Sequence, residues 1–227
     1  MNFEIPSNCQ IPNLEQIYRN IFFDSDESYK GVFVEIGAYD GYNHSNTYCL
    51  SKLGWKGVYV EPIPEYASRC QKNHEFNSDI IVVNAGISSD KQFLDFFVTN
   101  TLTTSSEEQF KAYQEIDWAR NEINKFFKGK LRVPCFRLDS LLEKIKIGNV
   151  DVLVIDTEGT ELDVLNSFDL KILSPKLLIC EIEDEHRDFK DRTNISEKCK
   201  KVREKIISSG YQEIFRDEIN TVFLRVG

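Results

Sequence analysis

Short apolar runs of strand length alternate with longer amphipathic stretches through the middle of this chain. Parallel strands need a long crossover between them, usually a helix, so this rhythm predicts βα units around a mostly parallel sheet. The runs are Val32 to Ile36 (VFVEI), Gly57 to Glu61 (GVYVE), Asp79 to Ala85 (DIIVVNA), Val150 to Asp156 (VDVLVID) and Leu177 to Ile182 (LLICEI). Val150 to Asp156 is the most apolar, which predicts the central strand. Further on, Ile195, Cys199, Val202 and Ile206 fall on one face of a helix. Gly210 is placed to end it, since glycine enters the left-handed region freely. Tyr211 to Phe215 and Asn220 to Arg225 then predict a terminal hairpin that closes the parallel sheet with an antiparallel strand.

No repeat, low-complexity tract or Pro/Gly/Ser linker divides the 227 residues, so a single domain over 1–227 is expected. One stretch departs from simple βα alternation. Lys91 to Lys130 holds a Phe-rich run (FLDFFVT), a polar stretch from Thr99 to Ser106, and one amphipathic helix. That helix carries Phe110, Tyr113, Asp117 and Trp118 and is expected to continue to Phe127. An insertion of this size between sheet strands predicts a lid or specificity element over 91–130.

Charge narrows the partners. Lys plus Arg number 28 and Asp plus Glu 37, a formal charge of −9. Binding to nucleic-acid phosphates or anionic lipid ordinarily needs a basic footprint, so neither partner is expected. No apolar run approaches the roughly 18 residues of a membrane span. Met1 to Asn20, with Glu4, Gln10, Glu15 and two prolines, does not read as a secretory signal. Six cysteines stand singly with no C-x-x-C pair, which predicts reduced thiols in a cytoplasmic protein.

Three strand ends carry the chemistry. The first is Glu35-Ile-Gly37-Ala38-Tyr39-Asp40-Gly41, directly after a strand. Ligands of open α/β sheets bind beyond the carboxyl ends of the strands, and two glycines allow a sharp turn with close backbone approach. The spacing is G-x-x-x-G rather than the dinucleotide G-x-G-x-x-G. Acids flank it, so a pyrophosphate would be repelled and a cationic ligand attracted. The second is Glu61, 20 residues after Gly41, where a carboxylate can accept both hydroxyls of a ribose. The third is Asp156-Thr157-Glu158-Gly159-Thr160-Glu161 after the presumed central strand. Acids there can take a proton from a nucleophile or ligate a divalent ion. Glu161 also suits a helix N-terminus, whose dipole favours negative charge.

Four segments in this order resemble the FkbM-type family of class I S-adenosylmethionine methyltransferases: VFVEIGAYDGYNHSNTYCL, LGWKGVYVEPIP, NAGISSD, and RLDSLL followed by DVLVIDTEGTELDVL and LLICEIED. They cover roughly Lys30 to Asp184. The resemblance implies an α/β, Rossmann-like methyltransferase sandwich, a mostly parallel seven-stranded sheet with an antiparallel C-terminal hairpin strand. It implies S-adenosylmethionine as methyl donor. Glu35, Gly37, Ala38, Tyr39, Asp40 and Gly41 would hold the methionine part, with Asn46 and Thr47 over the same pocket. Glu61 would take the ribose, Pro62 and Ile63 would sit beside the adenine, and Asn84, Ala85 and Gly86 would border the base. Asp156 would lie nearest the transferring methyl.

The family implies an O-methyltransferase whose acceptor is a sugar, a glycan or a related natural-product alcohol, with room for a glycosyltransferase partner or fusion. An alcohol attacks only as its proton leaves, so Asp156, Glu158 and His186 are the candidate bases; histidine as a type suits that work near neutrality. Hard oxygen donors at Asp156, Glu181 and Asp184, helped by Glu158 and Glu183, suggest an optional Mg²⁺ site. Two other readings stand beside this one: a nucleotide-dependent sugar oxidoreductase, and a SAM-binding module without catalysis. RNA cap methylation is disfavoured by the negative charge.

Overall fold

The computed structural model describes residues 4–7 and 9–226; Met1–Phe3, Asn8 and Gly227, the ends of the expected 1–227 domain among them, lie outside the described residues. Among the described residues ten strands run in chain order: β1 Val32–Ile36, β2 Lys56–Val60, β3 Ile80–Val83, β4 Gly86–Ile87, β5 Phe93–Val98, β6 Gly129–Phe136, β7 Val152–Ile155, β8 Leu177–Glu181, β9 Tyr211–Arg216 and β10 Asn220–Arg225. Seven of them form one sheet in the order β3-β2-β1-β7-β8-β10-β9. The pairs from β3 through β8 are parallel, and β10 enters antiparallel between β8 and β9. This is the expected mixed sheet. β7 is central and wholly buried, as its apolar sequence predicts.

Side chains alternate across a strand, so each strand feeds both faces. On one face Val34, Ile36, Val58, Leu153, Ile155 and Leu178 pack with Leu138, Leu141, Leu142, Val164, Val202 and Ile206. On the other, Phe33, Tyr59, Val154, Ile179 and Val222 pack with Leu14, Tyr18, Phe22, Leu50 and Trp55. The chain before β1 belongs to this second layer. A short helix, Leu14–Tyr18, runs directly into a π-helical turn, Arg19–Phe23, and delivers its aromatic side chains to Trp55. Burying each such ring gives about 1.5–3 kcal/mol as an upper figure. The helix Thr193–Ser208 buries Ile195, Val202 and Ile206, and Gly210 follows it at φ +94°.

Two local expectations change. The single helix through Phe110 to Phe127 is two helices, Glu107–Glu115 and Asp117–Phe126. Ile116 between them is extended (φ −97°, ψ 126°) and buried, so the chain bends where its side chain enters the core. Asp117 then opens the second helix, where an acid meets the favourable end of the helix dipole. The second change concerns β6, where the flanks of Cys135 read as a buried strand: it is only half buried, with Val133 and Cys135 inward and Lys130–Arg132 exposed. It pairs antiparallel with β5 and parallel with β4 to make a separate three-stranded sheet. The segment 91–130 is thus anchored by a small sheet of its own, with two helices between β5 and β6.

Candidate active site

The strand order reverses direction between β1 and β7, and open α/β sheets bind ligands at such a crevice. The loops leaving β1, β2, β7 and β8 meet there around one cavity, together with Asn100–Thr103 and Trp118 from the 91–130 segment. Of the residues expected to form the site, Glu35, Gly37, Ala38, Tyr39, Glu61, Pro62, Ala85, Gly86, Asp156, Glu158, Glu181 and His186 line its wall.

The β1 and β7 loops touch backbone to backbone. Gly37 has φ +84°, and a Cβ built there would lie 1.6 Å from the Asp156 carbonyl oxygen, so only glycine fits. Tyr39 (φ +50°) and Glu158 (φ +55°) also hold left-handed backbone. For residues with a side chain this costs on the order of 1–3 kcal/mol, and such strain collects where a loop must present groups to a ligand.

Glu61 organises the opposite wall. Its Oε2 accepts the Tyr39 backbone N–H and its Oε1 the Ile63 backbone N–H, each at 2.8 Å. The Asn84 side chain donates to the Glu61 and Pro62 carbonyls at 2.9 Å each and holds that turn. Burial pushes the Glu61 carboxyl up to about 8 against the lowering effect of its two N–H donors. Glu35 shares a strand face with Phe33 and so points toward the layer before β1. Its Oε2 accepts Ser45 Oγ at 2.9 Å and the Thr47 hydroxyl. Burial pushes Glu35 up to about 7.

Seven expected residues do not reach the cavity wall, and each has another task. Asp40 caps its own loop, accepting from Tyr42 and Asn43. Gly41 (φ +66°) packs where a Cβ would meet Cys70 and His74. Thr47 serves Glu35 from behind. Asn46 faces the chain before β1: Oδ1 accepts Ile11 N–H at 3.1 Å and Nδ2 donates to Gln10 at 3.1 Å. Gln10 is itself a wall residue, brought there by a segment that carries no motif. Ile63 is buried in the core beside Tyr66 and Phe96, and Asn84 works through Glu61 and Pro62. Asp184 is ion-paired with Arg203 at 2.8 Å and does not line the cavity, so it leaves the expected metal set.

Around Asp156 the site is densely acidic. Glu158 accepts the Tyr113 hydroxyl, and its carbonyl accepts Thr104 Oγ1 at 2.7 Å. Glu183 accepts Gln109 Nε2 at 2.7 Å. Glu161 accepts Thr157 N, Thr157 Oγ1 and Gly159 N, so it ties the β7 loop rather than meeting a ligand. Burial first, and the neighbouring carboxylates second, raise Glu158 and Glu181; Asp156 is raised by burial against its hydrogen bond to Glu181. His186 stands half-buried at the mouth. Its Nδ1 accepts the Asp188 N–H at 3.2 Å, which leaves the proton of the neutral ring on Nε2. Trp118 is edge-on to His186 at 6.2 Å and anchored by its Nε1 donating to Asp188 at 2.8 Å.

Tyr113, Gln109 and Thr104 were beyond sequence reasoning as site residues. Helix periodicity marks Tyr113 as inward-facing but does not say that inward means toward Glu158.

The sheet and the crevice define a class I methyltransferase fold. The O-methyltransferase from Bacillus cereus, solved in complex with SAH, is 14% identical, with 97% of this chain and 84% of that one covered at a TM-score of 0.52. The O-methyltransferase TomG from Streptomyces achromogenes, involved in tomaymycin synthesis and solved in complex with SAM, is 10% identical, with 94% and 78% covered at 0.53. Residues 35–213 match the Methyltransferase FkbM domain, and the chain belongs to that family. The chain spans 43% of the FkbM methyltransferase structure from Methylobacillus flagellatus, which it matches over 86% of its own length at 15% identity and a TM-score of 0.48. No curated protein matches the sequence.

Proposed function

We propose that this protein transfers a methyl group from S-adenosylmethionine to a hydroxyl of a sugar, a glycan or a related natural-product alcohol. One observation carries the reading: among the described residues, the cavity wall holds six carboxylates (Glu35, Glu61, Asp156, Glu158, Glu181 and Glu183) and neither Lys nor Arg. A dinucleotide or nucleotide-sugar cofactor brings phosphates, and such a wall offers them no Lys or Arg side chain. A donor bearing an ammonium and a sulfonium is attracted, and a neutral acceptor is tolerated. This weighs against the sugar oxidoreductase, as does membership of a methyltransferase family.

The residues fit the donor. Each Glu61 oxygen uses one lone pair on a backbone N–H and keeps another for a ribose hydroxyl. Pro62, Ala85, Gly86 and Ile87 give an apolar stretch of wall suited to the adenine. Glu35 and the Gly37–Tyr39 loop face the amino-acid end. The donor, when bound, supplies an electrophilic methyl carbon on a positively charged sulfur.

Asp156 is the base in this reading. Burial raises its proton affinity above that of an ordinary carboxylate, which suits it to take the acceptor's hydroxyl proton as the new C–O bond forms and the C–S bond breaks. Glu158 is engaged by Tyr113, and His186 offers a proton on Nε2 rather than a free lone pair, so both position the acceptor. Trp118 and His186 at the mouth present ring surface to the apolar face of a sugar. Because the displacement needs acceptor oxygen, carbon and sulfur in line, positioning contributes much of the rate.

The test is mass spectrometry on neutral glycans and alcohols incubated with the protein and isotope-labelled S-adenosylmethionine. Gain of one labelled methyl on oxygen supports the assignment. Labelling of RNA or of amines alone would overturn the oxygen acceptor, and tight donor binding without any transfer would favour the non-catalytic module.

A further inference from the structure

Cys9 lies in the irregular chain before the first helix and is half-buried; Cys49 lies on the helix Tyr48–Lys52 and is fully buried. Their sulfurs stand 3.3 Å apart, although the residues are 40 positions apart in the chain. The two segments are already held in register. Asn46 accepts the Ile11 N–H at 3.1 Å, donates to Gln10 at 3.1 Å, and offers its carbonyl to the Tyr18 hydroxyl at 2.7 Å. The Gln10 N–H donates to the Ser45 carbonyl at 3.3 Å. Closing the gap to a disulfide bond of about 2.05 Å brings the sulfurs together by only about 1.2 Å. The other thiols are engaged elsewhere: Cys70 with the His74 ring, Cys135 and Cys180 with the Val133 and Glu181 carbonyls, and Cys199 against the core. Contact with Cys9, and burial after it, raise the Cys49 thiol well above its ordinary value, so Cys49 stays protonated. Cys9, with part of its surface open, is the sulfur an oxidant reaches first.

We propose that Cys9 and Cys49 are a redox modification site, closed to a disulfide by a hydroperoxide or a small-molecule disulfide and reopened by thiols. With hydrogen peroxide, the Cys9 sulfur gives up its proton and attacks one oxygen. The O–O bond breaks, the other oxygen leaves with that proton as water, and Cys9 becomes a sulfenic acid. The Cys49 sulfur then attacks Cys9, the S–O bond breaks, and hydroxide leaves with the Cys49 proton as a second water. Two thiols have lost two electrons and two protons, and the peroxide has taken up both. A small-molecule disulfide does the same through a mixed disulfide and departs as two thiols. The covalent ring so closed contains β1 and the Gly37–Gly41 turn after it, and it pins Gln10 to the cavity wall. Disulfide formation stands on the placement of the two sulfurs and does not depend on the transferase reading.

The experiment takes the full chain, reduced with dithiothreitol and desalted, and exposes it to hydrogen peroxide or to oxidised glutathione. Remaining thiols are alkylated, and peptides are mapped by mass spectrometry without reduction. A peptide pair joined through Cys9 and Cys49 is expected, and dithiothreitol should separate it again. Because the link spans 40 positions and joins segments already in place, the oxidised protein should melt about 5–15 °C higher than the reduced one. Cys9→Ser should lose both the link and the rise, while its reduced form melts within about 3 °C of wild type. If that variant fails to fold, wild type alkylated at Cys9 before oxidation takes its place. A sulfinic acid or glutathione adduct on Cys9 with no link, or a link to another cysteine or another copy, overturns the site. A Cys9–Cys49 link that fails to raise the melting temperature overturns the latch, because closing the bond would then pull the two segments out of their native places.

Discussion

Replacing Glu61 with Gln separates the two tasks of this carboxylate. In the native protein each oxygen accepts one backbone N–H, from Tyr39 and from Ile63, at 2.8 Å, and the side chain is 4% exposed. A carboxyl oxygen still accepts through a lone pair when protonated; an amide nitrogen does not. Whichever way the glutamine turns, its NH₂ meets one of the two N–H groups, donor against donor. A buried donor left unpaired costs about 1–3 kcal/mol, so urea denaturation should register a loss of that size. The same change removes one of the two acceptors for the ribose. At about 1.4 kcal/mol per tenfold, loss of that contact plus loosening of the Tyr39 loop predicts about 10- to 100-fold weaker S-adenosylhomocysteine binding. Calorimetry on wild type and Glu61→Gln reads it directly. Unchanged affinity with reduced stability would refute the ribose role; no change in either would refute the hydrogen-bond geometry itself.

Asp156→Asn should lower kcat by about 10²–10⁴-fold in labelled-methyl transfer while S-adenosylhomocysteine binds within a few-fold of wild type; a variant with native turnover would remove the base assignment. Gly37→Ala drives a methyl into the Asp156 carbonyl and forces left-handed backbone, so a stability loss on the order of 3 kcal/mol or more is expected by urea denaturation, and native stability would contradict the close approach. The ligand-free protein should lose stability as pH rises. Burial raises the folded-state Glu35 carboxyl to about 7 and Glu61 to about 8, above their unfolded values. That stability is therefore complete in mild acid, below the unfolded values, and is lost as pH climbs through 7 and 8. Urea midpoints from about pH 5 to about pH 9 should fall, with the upper part flattened in Glu61→Gln; a rise over that range would contradict the burial of these acids.

The middle of the sheet was legible in the sequence because β1, β2, β7 and β8 are buried almost throughout and read as continuous apolar runs; β7 is the clearest case. The strand-end motifs were legible for a related reason. A turn that must leave a strand, pass close to a neighbouring loop and expose a carboxylate needs Gly37 and Glu61 in particular places. What escaped depends on contacts between distant segments. Asn46 opens a helix beside the cavity in sequence, yet its amide is matched to Ile11 and Gln10, some 36 residues away, so it braces the chain before β1. Asp184 looks equivalent to Glu181 until Arg203, on a later helix, claims it. Tyr113 and Gln109 lie on a helix whose inward face is evident, but the acids they meet, Glu158 and Glu183, follow different strands. β6 was legible only in part: the flanks of Cys135 read as a buried strand, but the exposed Lys130–Arg132 before it conceal the strand's first half.

A crystal structure of this chain with S-adenosylhomocysteine bound tests the proposed donor site most directly. Both ribose hydroxyls should lie about 3 Å from the Glu61 carboxylate, with the sulfur turned toward Asp156 and the β1–β7 crevice. A ligand resting outside that crevice, or a ribose bound with Glu61 untouched, would mean that the acids at these strand ends serve some purpose other than holding a methyl donor.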